Sequence, residues 1–428
     1  MFETLRNAWK VEELRKRILF TLFMLLIYRI GVFVPVPGID SSVIQNMVGQ
    51  GANSLLGLMD IISGGAFGNY TIFAMGIIPY VNASIIMQLL QVAIPRLEAL
   101  AKEGEEGRKK IAQYVRYLTV VFAFVQSMGI TWGLARSALI TSSIWSLLLV
   151  ALTLTAGTAF LMWLGEQITE SGIGNGISLI IFTSIISRLP QAVAAIYNMA
   201  FKIGPGAVGG MSPWLIPAVL AFAILLIAGV VFIDLGQRRI PVQYAKRVVG
   251  RKMYGGQSTH IPMKVNSSGV LPIIFAVSIL SLPQTIAMFT GQDSGFYTFI
   301  QRYFSHSSAA YAIVYALLII FFTFFYTTIS FNPIEIAKNL KQYGGNIPGI
   351  RTGKPTTEFL MRVSNRITLV GSLFLAVIAV IPIIVGALTG IPMYIQGTSI
   401  LILVNVALET NKQLESQMLM RHYKGFLK

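Results

Sequence analysis

The chain has 428 residues, 54% of them hydrophobic and only 12% charged, a balance far outside the soluble range that marks a polytopic membrane protein. Cysteine is absent, which excludes disulfides, thiolate catalysis and cysteine metal sites, and the net charge of +16 makes the placement of basic residues more informative than their number.

The opening residues, MFETLRNAWKVEELRKR, are too polar and too acidic for the basic region of a cleavable signal, and no small-residue cleavage site follows. The first apolar segment is therefore expected to be retained. Crossing about 30 Å of hydrocarbon takes roughly 20 residues of helix. Apolar runs predict ten such helices, at 18–36, 70–94, 114–134, 145–164, 177–200, 214–233, 270–289, 311–331, 367–388 and, more briefly, 398–408. The apolar patch 55–62 is too short to span and is interrupted by Asp60, so it is expected to be re-entrant, interfacial or tucked inside the protein.

Residues 63–91, SGGAFGNYTIFAMGIIPYVNASIIMQLLQ, predict a membrane-length helix introduced by a glycine-rich turn. At about 100° per residue, Ile77, Val81, Ser84 and Gln88 share a narrow arc. Such a face, aliphatic and then polar, suits either packing against a neighbour or the wall of an aqueous path. The fifth helix repeats the spacing with Ile177, Ile181, Ser184 and Arg188, which favours a shared path, since a charge on a membrane helix faces an interior or water. Ile177 lies at the very start of its segment, so a constriction placed on this stripe at mid-membrane would need a deep funnel on that side.

Ten crossings place both termini on one side. The amino-terminal tail, the loops after helices 2, 6 and 8, and the carboxyl tail hold 28 of the 33 Lys and Arg residues, which makes that side cytoplasmic. The loop after helix 4, GEQITESGIGNG, belongs to this side by count yet carries no basic residue, which suits a segment that dips into a cavity. Two long basic loops, 234–266 and 332–366, mix Gly, Pro and Tyr as exposed hairpin-like loops do and are expected to dock a large cytosolic partner.

Enzyme readings find no support. Gly172, Gly174 and Gly176 lack GxGxxG spacing. Gly353 and Lys354 resemble the end of a phosphate loop, but Pro348 and Pro355 occupy its first-glycine and Ser/Thr positions. His260, His306 and His422 form no HExxH pair, and no helix interior carries the Asp of an aspartyl protease. The chain is therefore not expected to be an enzyme or to bind a cofactor. A secondary transporter with inverted repeats is the alternative, but its coupling carboxylates would lie within helices, whereas Asp and Glu here gather at helix ends and in loops.

Six segments in order, SGGAFGNYTIFAMGIIPYVNASIIMQLL, KEGEEGRKKIAQYVRY, FLMWLGEQITESGIGNGISLIIF, GQRRIPVQYAKR, QSTHIPMKVNSSGVLPIIFA and FNPIEIAKNLKQYGGNIPGIRTG, closely resemble the SecY family, the channel-forming subunit of the Sec protein translocase. The resemblance runs the full length. It implies an all-α membrane fold of ten helices in two inverted halves, 1–205 and 206–428, around an hourglass pore. It implies a passive protein-conducting channel that secretes unfolded preproteins bearing signal sequences and releases apolar segments sideways into the bilayer. Carried over onto this chain, the pore ring is Ile77, Val81, Ile177, Ile181, Ile274 and Ile402. The plug is 55–69, with Leu55, Leu58 and Ile61 in its body and Gly64, Gly65 and Gly68 as hinge, and the lateral gate includes Asn82, Gln126 and Ser278. Arg251, Lys252 and Arg351 would dock the ribosome or the motor ATPase SecA. SecE and SecG are the implied small subunits, and the plasma membrane is the implied location.

Overall fold

The computed structural model describes residues 2–50, 60, 63–133, 138–141, 143–201, 215–244, 247–249, 252–254, 258–289, 294–305, 308–389 and 397–425. Fifteen helices occur among them. Ten coincide with the predicted segments: α2 (Glu12–Gly31), α4 (Ile78–Ala93), α6 (Glu105–Gly133), α7 (Ile144–Ser171), α8 (Gly176–Phe201), α9 (Leu215–Leu235), α10 (Leu271–Phe289), α12 (Ala309–Ser330), α14 (Lys354–Thr389) and α15 (Gly397–Gly425). The others are short: α1 (Phe2–Lys10), α3 (Ser41–Gln50), α5 (Pro95–Lys102), α11 (Gly295–Tyr303) and α13 (Pro333–Gln342). Among the described residues five helices are individually long and apolar enough to cross a membrane, and the pair α4 and α5, bent by 102°, makes a sixth. The helices α8 and α10 are apolar but shorter, and α2 and α15 run into charged ends.

The second segment departs from expectation. Residues 63–77 fold as consecutive turns, and the helix begins only at Ile78. The local chemistry explains this: Tyr70 and Gly76 adopt left-handed φ of 45° and 56°, which no α-helix contains, and Pro79 sits in the first turn, where its missing N–H costs nothing. Sixteen residues of α4 rise only about 24 Å, short of the hydrocarbon thickness. The turns that precede α4 are largely buried inside the protein. They are bonded to the end of the α2 segment through Val36 N–H to Tyr70 O (3.1 Å) and Ile72 N–H to Val34 O (3.0 Å). Phe67, Tyr70, Ala74 and Met75 pack in a buried cluster with Val36, Ile130 and Leu154. Gly157 of α7 permits this approach, because a Cβ there would lie 1.9 Å from the Ile72 carbonyl oxygen.

A second large cluster joins α9, α10, α12, α14 and α15, and Ile85 of α4 inserts into it, so the carboxyl-terminal helices pack directly on α4. The first basic loop folds as an antiparallel hairpin of β1 (Gln237–Tyr244) and β4 (Ser258–Lys264), with β2 (Arg247–Val249) paired to β3 (Lys252–Tyr254). The second loop is not a hairpin. It forms α13, the short strand β5 (Gly345–Asn346) and the start of α14, and β5 adds to β1 to give the order β4-β1-β5. Ile240, Val242, Met263, Leu340, Ile347, Leu360 and Val363 form the core beneath, so the two basic loops are one folded unit.

Candidate functional site

Six aliphatic side chains meet in one cluster: Ile77 at the N-cap of α4, Val81 one turn on, Ile177 and Ile181 in α8, Ile274 in α10 and Ile402 in α15. Ile77, Ile181 and Ile402 are buried, and the other three pack against them with part of their surface open. The four-residue spacing within α8 directs both its members to one face.

Two cavities abut at this cluster. An apolar one of ≈ 70 Å³ is lined by Ile77, Val81, Ile181, Ile274 and Ile402, along with Ile130, Ile185, Val277 and a few hydroxyls. A larger one of ≈ 470 Å³ is lined by Val81, Ile177, Ile181 and Ile274 at its apolar end, and by Ser84, Gln88, Arg116, Glu166, Thr169, Glu170 and Asn175 elsewhere. Val81, Ile181 and Ile274 line both, so a single aliphatic layer separates them. The polar cavity lies on the Ile177 side of the layer, and the end of α7 with Asn175 of the loop after it forms part of its wall. Ile177 reaches only the polar cavity. Its Cδ1 packs over α7 where a Cβ on Gly165 would come within 2.5 Å.

The two matching stripes turn out to have opposite polar ends. Ser84 and Gln88 on α4 face the polar cavity, and Gln88 donates to Ser84 Oγ at 3.4 Å. Ser184 and Arg188 on α8 point the other way, toward Asp60, Gly64 and Gly65. The reason is topological: α4 starts at the turns and ends at the funnel, whereas α8 starts at the funnel, so equal spacing carries their polar ends in opposite directions.

On the side of the turns, Tyr28 O–H donates to Ser63 O (3.1 Å) and shares a hydrogen bond with Ser184 Oγ (2.6 Å). Arg29 Nη1 donates to Gly64 O (2.9 Å) and to Ser187 Oγ (3.2 Å). Asp60 is buried, accepts from Gly68 N–H at 2.7 Å and forms an ion pair with Arg188. Gly64 and Gly65 adopt left-handed φ of 67° and 97°, a conformation that favours glycine. Gly68 does not. It is needed for close approach instead, since a Cβ there would lie 2.9 Å from Asp60 Oδ1. Leu55, Leu58 and Ile61 lie outside the described residues.

Asn82, Gln126 and Ser278 are all buried where α4, α6 and α10 pack together. Gln126 and Ser278 share the apolar cavity, while Asn82 lines neither cavity and its Nδ2 has no hydrogen-bond partner. Arg351 is exposed in a turn flanked by left-handed Gly349 and Gly353, its carbonyl accepting from Thr356 Oγ1 at 2.8 Å. Lys252 opens β3, and Arg251 lies outside the described residues. Composition alone missed the pairing of Arg116 in α6 with Glu166 in α7 at 2.8 Å, and the contacts of Tyr28 and Arg29. A signal was present for the last: Arg29 and Arg188 are cations in apolar segments, and Asp60 is an acid in an apolar patch.

The SecY family model matches residues 71–411. A protein translocase subunit SecY of Streptomyces scabiei is 48% identical over 447 residues, with all of both chains covered. Its counterpart in Bacillus subtilis is 46% identical over 443 residues, again covering both chains fully. Among solved structures, a protein-conducting channel superposes with a TM-score of 0.63 at 21% identity, over 94% of this chain and 92% of that one. Sec61 from a canine ribosome–channel complex superposes with a TM-score of 0.58 at 19% identity and the same coverage.

Proposed function

We propose a division of labour among these parts on one premise: the chain belongs to the SecY family, and is a multi-pass protein-translocation channel. The observation that carries the reading is the aliphatic layer of Val81, Ile181 and Ile274 between two cavities. With Ile77, Ile177 and Ile402 it forms the collar. An apolar ring stays dry when empty and, lacking hydrogen-bond preferences, closes around any extended peptide, whereas a polar ring would hold water and select sequences.

Residues 55–69 act as the plug on the far side of the collar, and the polar cavity is the cytoplasmic vestibule. A seam between α4 and α6 on one side and α10 and α12 on the other, with Asn82, Gln126 and Ser278 along it, releases apolar segments to lipid. A segment there partitions by its own hydrophobicity, since each charge costs about 2.5–3.5 kcal/mol at mid-bilayer. The halves 1–205 and 206–428 move against each other as units. The joined basic loops, with Arg251, Lys252 and Arg351, dock the driver, SecA or the ribosome; the ribosome complexes of structural relatives support the latter. SecE and SecG complete the assembly, the membrane is the plasma membrane, and both termini are cytoplasmic. The chain itself is passive.

Reconstitution with a motor partner and ATP tests this. An unfolded preprotein bearing a signal sequence becomes protease-protected inside the vesicles; solute uptake without preprotein transit would replace the channel with the transporter reading.

A further inference from the structure

We infer that the ion pair between Asp60 and Arg188 is the latch that positions the plug against α8 in the closed channel, with Arg29 as its second fastening. The inference rests on the reading of residues 55–69 as a plug and deepens it by naming what holds that segment in place.

Geometry leads to it. The side chains of Asp60 and Arg188 are 11% and 23% exposed, so the pair sits largely away from water. Arg188 Nη1 donates to Gln191, Nη2 reaches Asp60, and Nε has no hydrogen-bond partner. Asp60 in turn receives the Gly68 N–H at 2.7 Å, so one carboxylate joins Gly68 to Arg188 of α8. Gly65 allows the guanidinium through, since a Cβ there would meet Arg188 Cζ at 3.0 Å. Arg29 grips the same stretch from α2 through the Gly64 carbonyl. Two cations from two different helices thus converge on one short segment that carries one acid.

An apolar contact would seal this position as well, and a buried ion pair is often no more stable than a well-packed apolar replacement. What it provides is direction. Separating the partners inside the closed protein leaves a buried unpaired charge, which is strongly unfavourable, whereas moving the whole segment into a water-filled pore rehydrates both charges. The latch therefore resists partial slippage and yields when polypeptide and water enter together.

The test uses the complete reconstituted translocation complex and resting ion conductance. Asp60→Asn and Arg188→Gln each raise the open fraction about tenfold, equivalent to about 1.4 kcal/mol. The double variant leaks no more than either single, because both remove the same interaction. Arg188→Lys, which keeps the charge, restores most of the closed state. A purely structural role predicts instead that Arg188→Lys leaks like Arg188→Gln. Parental conductance in both single variants, additive leaks in the double, or failure of Arg188→Lys to restore closure would each overturn the latch. Because the chain lacks cysteine, Asp60→Cys with Arg188→Cys also gives a background-free pair. A short reducible thiol cross-linker between them blocks preprotein transit until it is cleaved, and undiminished transit through the cross-linked protein refutes the assignment. If a collar variant leaks while these latch variants do not, the latch alone fails and the channel reading stands.

Discussion

Replacing Ile181 with Asn tests the collar most directly, because this side chain is 6% exposed and lines both cavities. Taking away a buried isoleucine forfeits about 1.5–3 kcal/mol of apolar burial. Placing an amide without partners in the same space costs about 1–3 kcal/mol more. The amide escapes that second cost by drawing water from the polar cavity into the ≈ 70 Å³ apolar one, whose lining already offers Ser278, Ser281 and Thr285. The lower ends of both terms favour the wetted state by about 2.5 kcal/mol, close to two orders of magnitude in the dry-to-wet ratio. Single-channel recording in planar bilayers reads this as a rise in resting conductance, with Ile186→Ala as the control, since Ile186 is 40% exposed on the outer face of the same helix. Resting conductance unchanged in Ile181→Asn, or raised equally by Ile186→Ala, would refute the collar.

Arg351→Glu reverses a charge at an exposed turn of the joined basic unit, and is expected to lower motor- or ribosome-driven transport severalfold while leaving membrane insertion of the channel intact. Transport at the parental rate would reduce the loop to a topology signal. Gly157→Ala drives a methyl into the Ile72 carbonyl, 1.9 Å from the ideal Cβ, and should destabilise the packing of the turns by about 1–3 kcal/mol, read as a lowered Tm in detergent. An unchanged Tm would mean that α7 does not support the turns.

The spans were legible because bilayer thickness imposes a length and an apolar composition on each, and all ten predicted segments contain a helix. The start of the second was not legible. Residues 63–77 are as apolar as a helix, and the left-handed backbone at Tyr70 and Gly76, a property of the folded neighbourhood, delays the start of the helix to Ile78. Likewise the pairing of β5 with β1 joins residues about a hundred positions apart, and no local pattern in the second loop announces it. The aliphatic stripe was readable from spacing. The opposite directions of its two polar ends needed topology as well: one helix leaves the turns and the other approaches them.

On the proposed reading, the helices that build the seal also build the seam. The collar draws Ile77, Val81, Ile177 and Ile181 from α4 and α8, but Ile274 and Ile402 from α10 and α15. Across the same boundary Ile85 of α4 is held in the cluster of α9, α10, α12, α14 and α15. A displacement that parts α4 and α6 from α10, wide enough to admit an apolar helix from the side, also withdraws Ile274 from Val81 and Ile181 and breaks the layer between the cavities. Water then enters at the site where Asp60 and Arg188 can rehydrate, so the condition that opens the seam is also the one that loosens the plug. The proposed collar and seam thus predict one shared gating step for lateral release and transmembrane passage. Cross-linking α4 to α10 across the seam should accordingly suppress both lateral release and preprotein transit; suppression of lateral release alone would show that the collar opens independently of the seam.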